Sequence, residues 1–221
     1  MDHHPPTGLL GNHPAIRESE WPAIRDAYAE PQRHYHTWAH IVAVLAAAEP
    51  FAAVLARPRG MYLACVFHDI VYVPGAADNE IRSAEWLRSA QARGGIDADA
   101  ADLTAALALI EASGGEGVAG LDGDAFWDID RAILAAPADD YAAYARAVRR
   151  EFARFGDFKY RLGRRRFLHG ELARPHIFRT ADYRRNAEGQ ARANLAAERD
   201  DLGRGGWLGM LFTRSTYMDQ A

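Results

Sequence analysis

The chain is organised around an adjacent imidazole and carboxylate, His68-Asp69, inside the apolar run 61–72. An ionised carboxylate in apolar surroundings is costly to desolvate unless a positive charge compensates it. A divalent cation would supply that charge and would also use His68, because imidazole nitrogen and carboxylate oxygen are both good ligands for first-row metals. The alternative is a helix end at which Asp69 turns to water and His68 only packs. An isolated pair favours this alternative, so the choice depends on the rest of the chain.

Other imidazoles and carboxylates occur at spacings that could complete a metal site. His36 and His40 are four residues apart, so on a helix they would share one face. Asp128 and Asp130 begin an apolar stretch, where carboxylates favour the positive end of a helix dipole. Residues i and i+2 on a helix point about 200° apart, so both aspartates would not reach one ion. Asp128 suits the N-cap of a helix predicted over 128–135.

The segments that must position these residues have helical periodicity. Apolar residues recur at i, i+3, i+4 and i+7 from Ile41 to Ala48, Thr37 suits the N-cap, and no long segment alternates with period two. Helices are predicted over 14–29 with an interruption at Pro22, 41–48, 51–56, 60–73, 80–93, 98–110 with Asp97 as cap, 128–135, 139–155, 158–173 and 181–202. The prediction is an all-α protein, with a flexible N-terminus (1–13), one helical domain (14–202) and a C-terminal tail (203–221).

Composition narrows the class of protein. The chain has 221 residues, 49% of them hydrophobic and 25% charged, with a net charge of -4, and it lacks the basic excess of a general nucleic-acid binder. Its single cysteine, Cys65, excludes an intrachain disulfide. We find no apolar run of 18 or more residues and no signal-peptide pattern. We therefore expect a cytoplasmic protein without a membrane partner.

The order of the candidate ligands resembles the HD superfamily of metal-dependent phosphohydrolases, a helical family. The family pattern is one His, then an adjacent His-Asp, then a later Asp. The matching steps are His40 with the apolar residues after it, Phe67-His68-Asp69-Ile70 and Ile129-Asp130-Arg131. Further stretches of the chain resemble a bacterial branch of predicted HD phosphohydrolases. These stretches are residues 33–36, 79–84, Tyr144, 151–152, 163–164 and 191–195. The resemblance covers most of residues 31–198 and implies a single helical HD-domain-like bundle.

The resemblance implies that His40, His68, Asp69 and Asp130 bind a metal. We choose Asp130 over Asp128 because Arg131 after it matches the family step and because Asp128 suits the N-cap better. Two imidazoles and two carboxylates suit Mn, Fe, Co, Ni or Zn better than Mg or Ca. Since no histidine lies between His68 and His169, one divalent ion is favoured over two.

The implied reaction is hydrolysis of a small phosphorylated compound, with nucleotides among the candidates, by metal-activated water. Besides Asp69, the candidate catalytic residues are Glu80, Arg33 and His36. Glu80 is a candidate general base alongside Asp128, and Arg33 and Arg131 are candidate phosphate donors. His36 would shape the pocket or carry protons. His169 and His176 match no motif and are expected to be structural.

Two other functions stay open. Many HD enzymes have an acidic residue or Lys soon after the doublet, and here the residues are Ile70-Val71-Tyr72-Val73. This departure motivates a catalytically silent metal- or nucleotide-binding regulatory module. An oxygen-activating di-iron enzyme on the same helices is the other alternative. Homo-oligomer formation is left open as well.

Overall fold

The structure, a computed structural model, describes residues 15–204, and these form an all-α bundle as predicted. Ten α-helices and no strand occur in this range, where the sole β-type contact is an isolated bridge between Ile16 and Ile96. The helices are α1 (Trp21–Tyr28), α2 (Trp38–Ala48), α3 (Pro58–Phe67), α4 (Asn79–Ala92), α5 (Ala100–Ala112), α6 (Leu121–Asp130), α7 (Ala138–Glu151), α8 (Asp157–Ala173), α9 (Ala181–Asn186) and α10 (Glu188–Arg204). The predicted N-terminal segment and all but the first two residues of the predicted tail lie outside the described residues. None of the described helices is long and apolar enough to cross a membrane.

Several predicted helix bounds are wrong in detail. The predicted helix 51–56 does not form, and the helical structure in this region is a 3-10 turn at Glu49–Phe51. Helix α5 is capped by Asp99, whose carboxylate accepts the Asp102 N–H at 2.7 Å, and not by Asp97. The predicted helix 181–202 is divided at Ala187 into α9 and α10.

The largest difference concerns α6, which ends where a helix was predicted to begin. Asp128 and Asp130 lie in its last turn, so Asp128 is not an N-cap. The helix starts within the segment 113–123, whose five glycines predict a loop when the sequence is considered alone. Gly123 permits this start, because a Cβ at this position would collide with the backbone carbonyl of Val118. The glycine therefore serves close packing of the helix against the preceding loop.

Two clusters of buried apolar residues make up the interior. The first surrounds α3, whose residues from Gly60 to Phe67 are all buried, and includes side chains from α1, α2, α4, α5 and α6. The second joins α7, α8 and α10 to the 3-10 turn Ala132–Ala135. Each fully buried large apolar side chain contributes about 1.5–3 kcal/mol through its removal from water. The candidate ligands lie on helix ends of the first cluster, facing α7 and α8 of the second.

Candidate metal centre

Three helix ends bring the predicted ligands together. His40 lies in the first turn of α2, His68 is the C-cap residue directly after α3, and Asp130 is the last residue of α6. Asp69 follows His68 just beyond the helix, so the doublet does occupy a helix end. Its side chain is only 20% exposed, however, and it turns toward the histidines instead of toward water.

Donor atoms of these residues lie close to the two imidazole nitrogens. The Nε2 atoms of His40 and His68 are 3.3 Å apart. Asp130 Oδ1 lies 3.5 Å from Nε2 of His40 and 3.2 Å from Nε2 of His68. Asp69 Oδ2 lies 3.6 Å and 3.2 Å from the same two nitrogens. His40, His68 and Asp130 thus form a group that could hold a metal ion.

The separations fit ligands that share one ion. Metal–ligand bonds of about 2.0–2.1 Å in tetrahedral geometry place neighbouring donor atoms about 3.3–3.4 Å apart. The observed separations of 3.2–3.6 Å bracket that value. His40, His68 and Asp130 therefore have the spacing of ligands that share one ion. Asp69 lies close to both histidine nitrogens but is not part of that group.

Backbone contacts orient His68 for this role. Its Nδ1 lies 3.1 Å from the carbonyl oxygen of Cys65. A carbonyl only accepts hydrogen bonds, so Nδ1 carries the proton and the neutral ring keeps its lone pair on Nε2, where the carboxylates converge. His40 is held beside it by the ring of Tyr35, whose centroid is 4.9 Å from that of the imidazole.

The protein without a metal compensates the two carboxylates with protons on imidazole. Burial lowers the pKa of His68, but Asp69 and Asp130 outweigh it and raise that pKa well above its usual value. Burial also raises the pKa of Asp130, yet hydrogen bonds from His40 and His68 hold it well below its usual range. For His40, burial prevails and its pKa is lowered. A cation at this position would replace the proton on His68.

A cavity of about 180 Å³ opens beside the ligands. Its walls also contain His36, Glu80, the Ser113-Gly114 turn and Arg131 on the side of the first cluster. Tyr144 of α7 and Phe167 of α8 complete the walls from the second cluster. A small molecule in this cavity would lie against the ligand atoms and several polar side chains.

Of the predicted catalytic residues, Glu80 and His36 reach this cavity and Arg33 does not. The Glu80 carboxylate makes no hydrogen bond or ion pair with a described residue, and it lies directly against Gly114. The Arg33 side chain is fully buried, and its guanidinium donates to the carboxylate of Glu30 and to backbone carbonyls. Those carbonyls belong to His36, Asp69 and Ile70. Arg33 therefore ties the segment with His36 to the segment with Asp69, and it does not line the cavity.

The prediction that His36 and His40 share one helix face is wrong. His36 precedes α2, and the two ring centroids are 5.7 Å apart. Its Nε2 lies 3.9 Å from Asp69 Oδ2, and its Nδ1 lies 2.8 Å from Glu151 Oε2. The position of the His36 ring beside the site depends on the turn before α2 and on the carboxylate of Glu151. Neither feature can be read from the i, i+4 spacing of the two histidines.

Asp128 lies outside the cavity, which removes it as a candidate base. Its side chain is 0% exposed, and its two oxygens accept the N–H groups of Arg179 at 2.7 Å and Thr180 at 2.8 Å. Burial raises its pKa, while these hydrogen bonds act in the opposite direction. Asp128 thus fastens α6 to the start of α9.

Sequence reasoning assigned no role to Glu151 or Tyr72, which both contact His36. Glu151 lies 115 residues from His36, so no local spacing could connect them. The sequence does contain one local signal for Glu151. It is an acidic residue that directly follows Arg149 and Arg150 at the C-terminal end of an amphipathic helix.

Fold and site together define an all-α protein with a histidine–aspartate group that could hold a metal ion. No protein-family model, curated protein or solved structure matches the chain.

Proposed function

We propose that the chain is a metal-dependent phosphohydrolase of the HD type, acting on a small phosphorylated compound, with nucleotides among the candidates. The observation that carries the proposal is the convergence of the ordered His, His-Asp and Asp set beside a cavity. His40, His68, Asp69 and Asp130 would hold the ion. Their nitrogen and oxygen donors support Mn, Fe, Co, Ni or Zn in preference to Mg or Ca. Bound there, a divalent ion would lower the pKa of a water molecule and polarise a phosphoryl group.

Arg131 is the phosphate donor in this proposal, in place of Arg33. It is the one Arg or Lys among the described residues that line the cavity. Its guanidinium stacks on the ring of Trp127, 3.6 Å from the centroid, and pairs with Glu171 at 3.1 Å. A planar guanidinium fixed on one face can still present donors to a phosphate oxygen along its edge.

In this proposal Glu80 orients the attacking water, and His36 accepts a proton from it. The Glu80 carboxylate is free to accept a hydrogen bond from a water in the cavity, which orients that water toward the phosphoryl group. Burial lowers the pKa of His36, but Asp69 and the hydrogen bond to Glu151 outweigh burial and raise that pKa. In its neutral form the ring faces the same space and can take a proton there.

Metal analysis combined with a hydrolysis screen tests the proposal. Full-length protein made without a His-tag should contain about one divalent transition metal per chain, and should release phosphate from members of a phosphoester panel. His68→Ala should lose both properties. His176→Ala is the matched control, because His176 is exposed and outside the site.

Absence of stoichiometric metal, or loss of metal in His176→Ala, would contradict the proposal. Metal binding with thermal stabilisation by nucleotides but no turnover would favour the silent binding module. Two iron ions per chain would favour oxygen chemistry.

A further inference from the structure

Glu151, the last residue of α7, is a buried carboxylate that the proposed reaction does not use. It is 4% exposed, and every hydrogen bond that it accepts comes from the segment around His36 or from Tyr72. Oε1 accepts the backbone N–H groups of His34, Tyr35 and His36 at 2.8, 2.7 and 2.9 Å. Oε2 lies 2.8 Å from Nδ1 of His36 and accepts the Tyr72 hydroxyl at 3.1 Å. One side chain thus holds both the backbone and the ring of His36.

Glu151 is ionised in this environment. Burial alone would raise its pKa, but the hydrogen bond and charge of the His36 ring and the backbone N–H groups of His36 and Tyr35 outweigh burial and bring the pKa to about 2. An ionised carboxylate has no proton to donate, so the short contact with His36 requires a proton on Nδ1.

The remaining nitrogen of His36 faces the cavity. Nε2 lies 3.9 Å from Asp69 Oδ2, and the ring is among the residues that line the space beside the ligands. Tyr72 stacks on the imidazole with a centroid distance of 4.0 Å and an interplanar angle of 27°. Tyr35 meets the ring edge-on at 5.0 Å. The ring is therefore held in one orientation by contacts on several sides.

We infer that Glu151 is a positioning residue that holds His36 in the Nδ1-protonated tautomer, so that Nε2 can accept a proton from a water in the cavity. The proton-acceptor role rests on the proposed function, whereas the tautomer does not. As water oxygen forms its bond to phosphorus, one water proton passes to Nε2. The bond from phosphorus to the leaving oxygen breaks with its electron pair on that oxygen. The imidazolium then returns its proton to the leaving oxygen, which restores the neutral ring.

Glu151→Gln is the isosteric test. Three backbone N–H groups converge on Oε1, so the amide oxygen must take that position and the amide NH₂ must replace Oε2. The NH₂ then donates to Nδ1 of the neutral ring, which moves the ring proton to Nε2. The backbone anchor is kept, so the fold should persist. Tyr72→Phe is the matched control, because it removes the other donor to Oε2 but keeps the stacked ring and the carboxylate.

The measurement is nitrogen NMR of histidine-labelled, full-length protein loaded with diamagnetic Zn²⁺, at a pH where the His36 ring is neutral. Comparison with His36→Gln assigns the signals among the 9 histidines. We expect the proton on Nδ1 in the wild type and in Tyr72→Phe, and on Nε2 in Glu151→Gln. With p-nitrophenyl phosphate as the probe, kcat of Glu151→Gln should fall about 10²–10⁴-fold, with KM and metal content little changed.

The two proposals fail in different ways. A proton on Nε2 in the wild type, or an unchanged tautomer in Glu151→Gln, overturns the positioning role whether or not the enzyme is active. A switched tautomer with unchanged kcat overturns the proton transfer to His36. A switched tautomer in a protein that binds metal but hydrolyses no phosphoester supports the positioning role and removes the proposed function.

Discussion

At the residue scale, two aspartates separated by one position on α6 have entirely different surroundings. Asp130 faces the histidines, and Asp128 faces the backbone before α9. The helical rule that such neighbours point about 200° apart therefore holds. The expected N-cap role of Asp128 fails, because both residues end the helix. Replacing each aspartate in turn should show which of them binds the metal.

Asp130→Ala should remove the metal and abolish hydrolysis, because the other three ligands are then too few to hold the ion tightly. The free energy of unfolding of the metal-free protein should fall as well. Burial raises the pKa of Asp130, but hydrogen bonds from His40 and His68 outweigh burial and hold that pKa well below its usual range, so the ionised form stabilises the folded chain at neutral pH. Elemental analysis and urea unfolding of chelator-treated protein measure the two effects. Retained stoichiometric metal would show that Asp130 is not a ligand.

Asp128→Ala should lower the stability of the fold but leave metal binding intact. It leaves two partly buried backbone N–H groups, those of Arg179 and Thr180, without acceptors. Each unpaired buried donor costs about 1–3 kcal/mol, so the loss should exceed the roughly 1 kcal/mol of a helix cap. Urea unfolding checks the loss, and metal content per folded chain should stay at the wild-type value. Loss of metal from the folded chain would mean that Asp128 is a ligand.

At the scale of single elements, the turn after α5 controls the position of Glu80. A Cβ on Gly114 would overlap the Glu80 carboxylate, whereas a Cβ on Gly115 would meet only the Ala112 carbonyl at 3.8 Å. Because the Glu80 side chain is flexible, it can move away at little cost. Gly114→Ala should therefore lower kcat in the phosphoester assay with almost unchanged thermal stability. Gly115→Ala is the matched control and should retain wild-type kcat, and equal activity of both variants would argue against a role for Glu80.

Helix α6 depends on Gly123, where an added side chain would meet backbone atoms instead of a flexible side chain. In Gly123→Ala the new methyl group would meet the backbone of Val118, which cannot rotate away, so the variant should be strongly destabilised. Gly170 lies in α8 with nothing within 4 Å of an added Cβ, and Gly170→Ala should raise the free energy of unfolding by up to about 1 kcal/mol. Thermal unfolding compares the two variants. A tolerated Gly123→Ala would mean that α6 does not pack against the loop as described.

The same elements show how far sequence reasoning reaches. Periodicity predicted the helical class. The resemblance to the HD superfamily predicted that His40, His68, Asp69 and Asp130 come together, and the two histidines and Asp130 form the group that could hold a metal ion. Sequence reasoning failed at α6, because a glycine required for close packing cannot be distinguished in the sequence from a glycine required in a loop. It also failed for Arg33 and missed Glu151, because Asp69 lies 36 residues from Arg33 and His36 lies 115 residues from Glu151. Such contacts are set by tertiary packing, which leaves no local pattern in the chain.

At the scale of the whole molecule, the site lies where two apolar clusters meet. The candidate ligands belong to α2, α3 and α6 of the first cluster, while Tyr144 and Phe167 belong to the second. Two further links cross between the clusters: the Trp127 indole donates to the Ile177 carbonyl at 2.9 Å, and Glu151 holds the segment before α2. Occupation of the site should consequently affect global unfolding.

Removal of the metal should lower the melting temperature, because an ion that binds only the folded chain stabilises it by mass action. At a free metal concentration of 100 times Kd the gain is about 2.7 kcal/mol. For a chain of this size, that gain corresponds to roughly 5–10 °C in Tm. Calorimetry with and without a chelator measures the shift in wild type, in His68→Ala and in the control His176→Ala. The shift should vanish only in His68→Ala.

The metal-dependent shift in Tm should also grow with pH. Ligands bind a metal only after losing their protons, and the pKa of His68 is raised well above its usual value by Asp69 and Asp130 when no metal is bound. Protons therefore compete with the metal up to that raised pKa, and the competition ends above it. Calorimetry from about pH 6 to about pH 8 should show a widening gap between metal-loaded and chelated protein. A gap that is constant over this range would mean that no imidazole proton is displaced on binding, and would place the ion outside the His40–His68 pair.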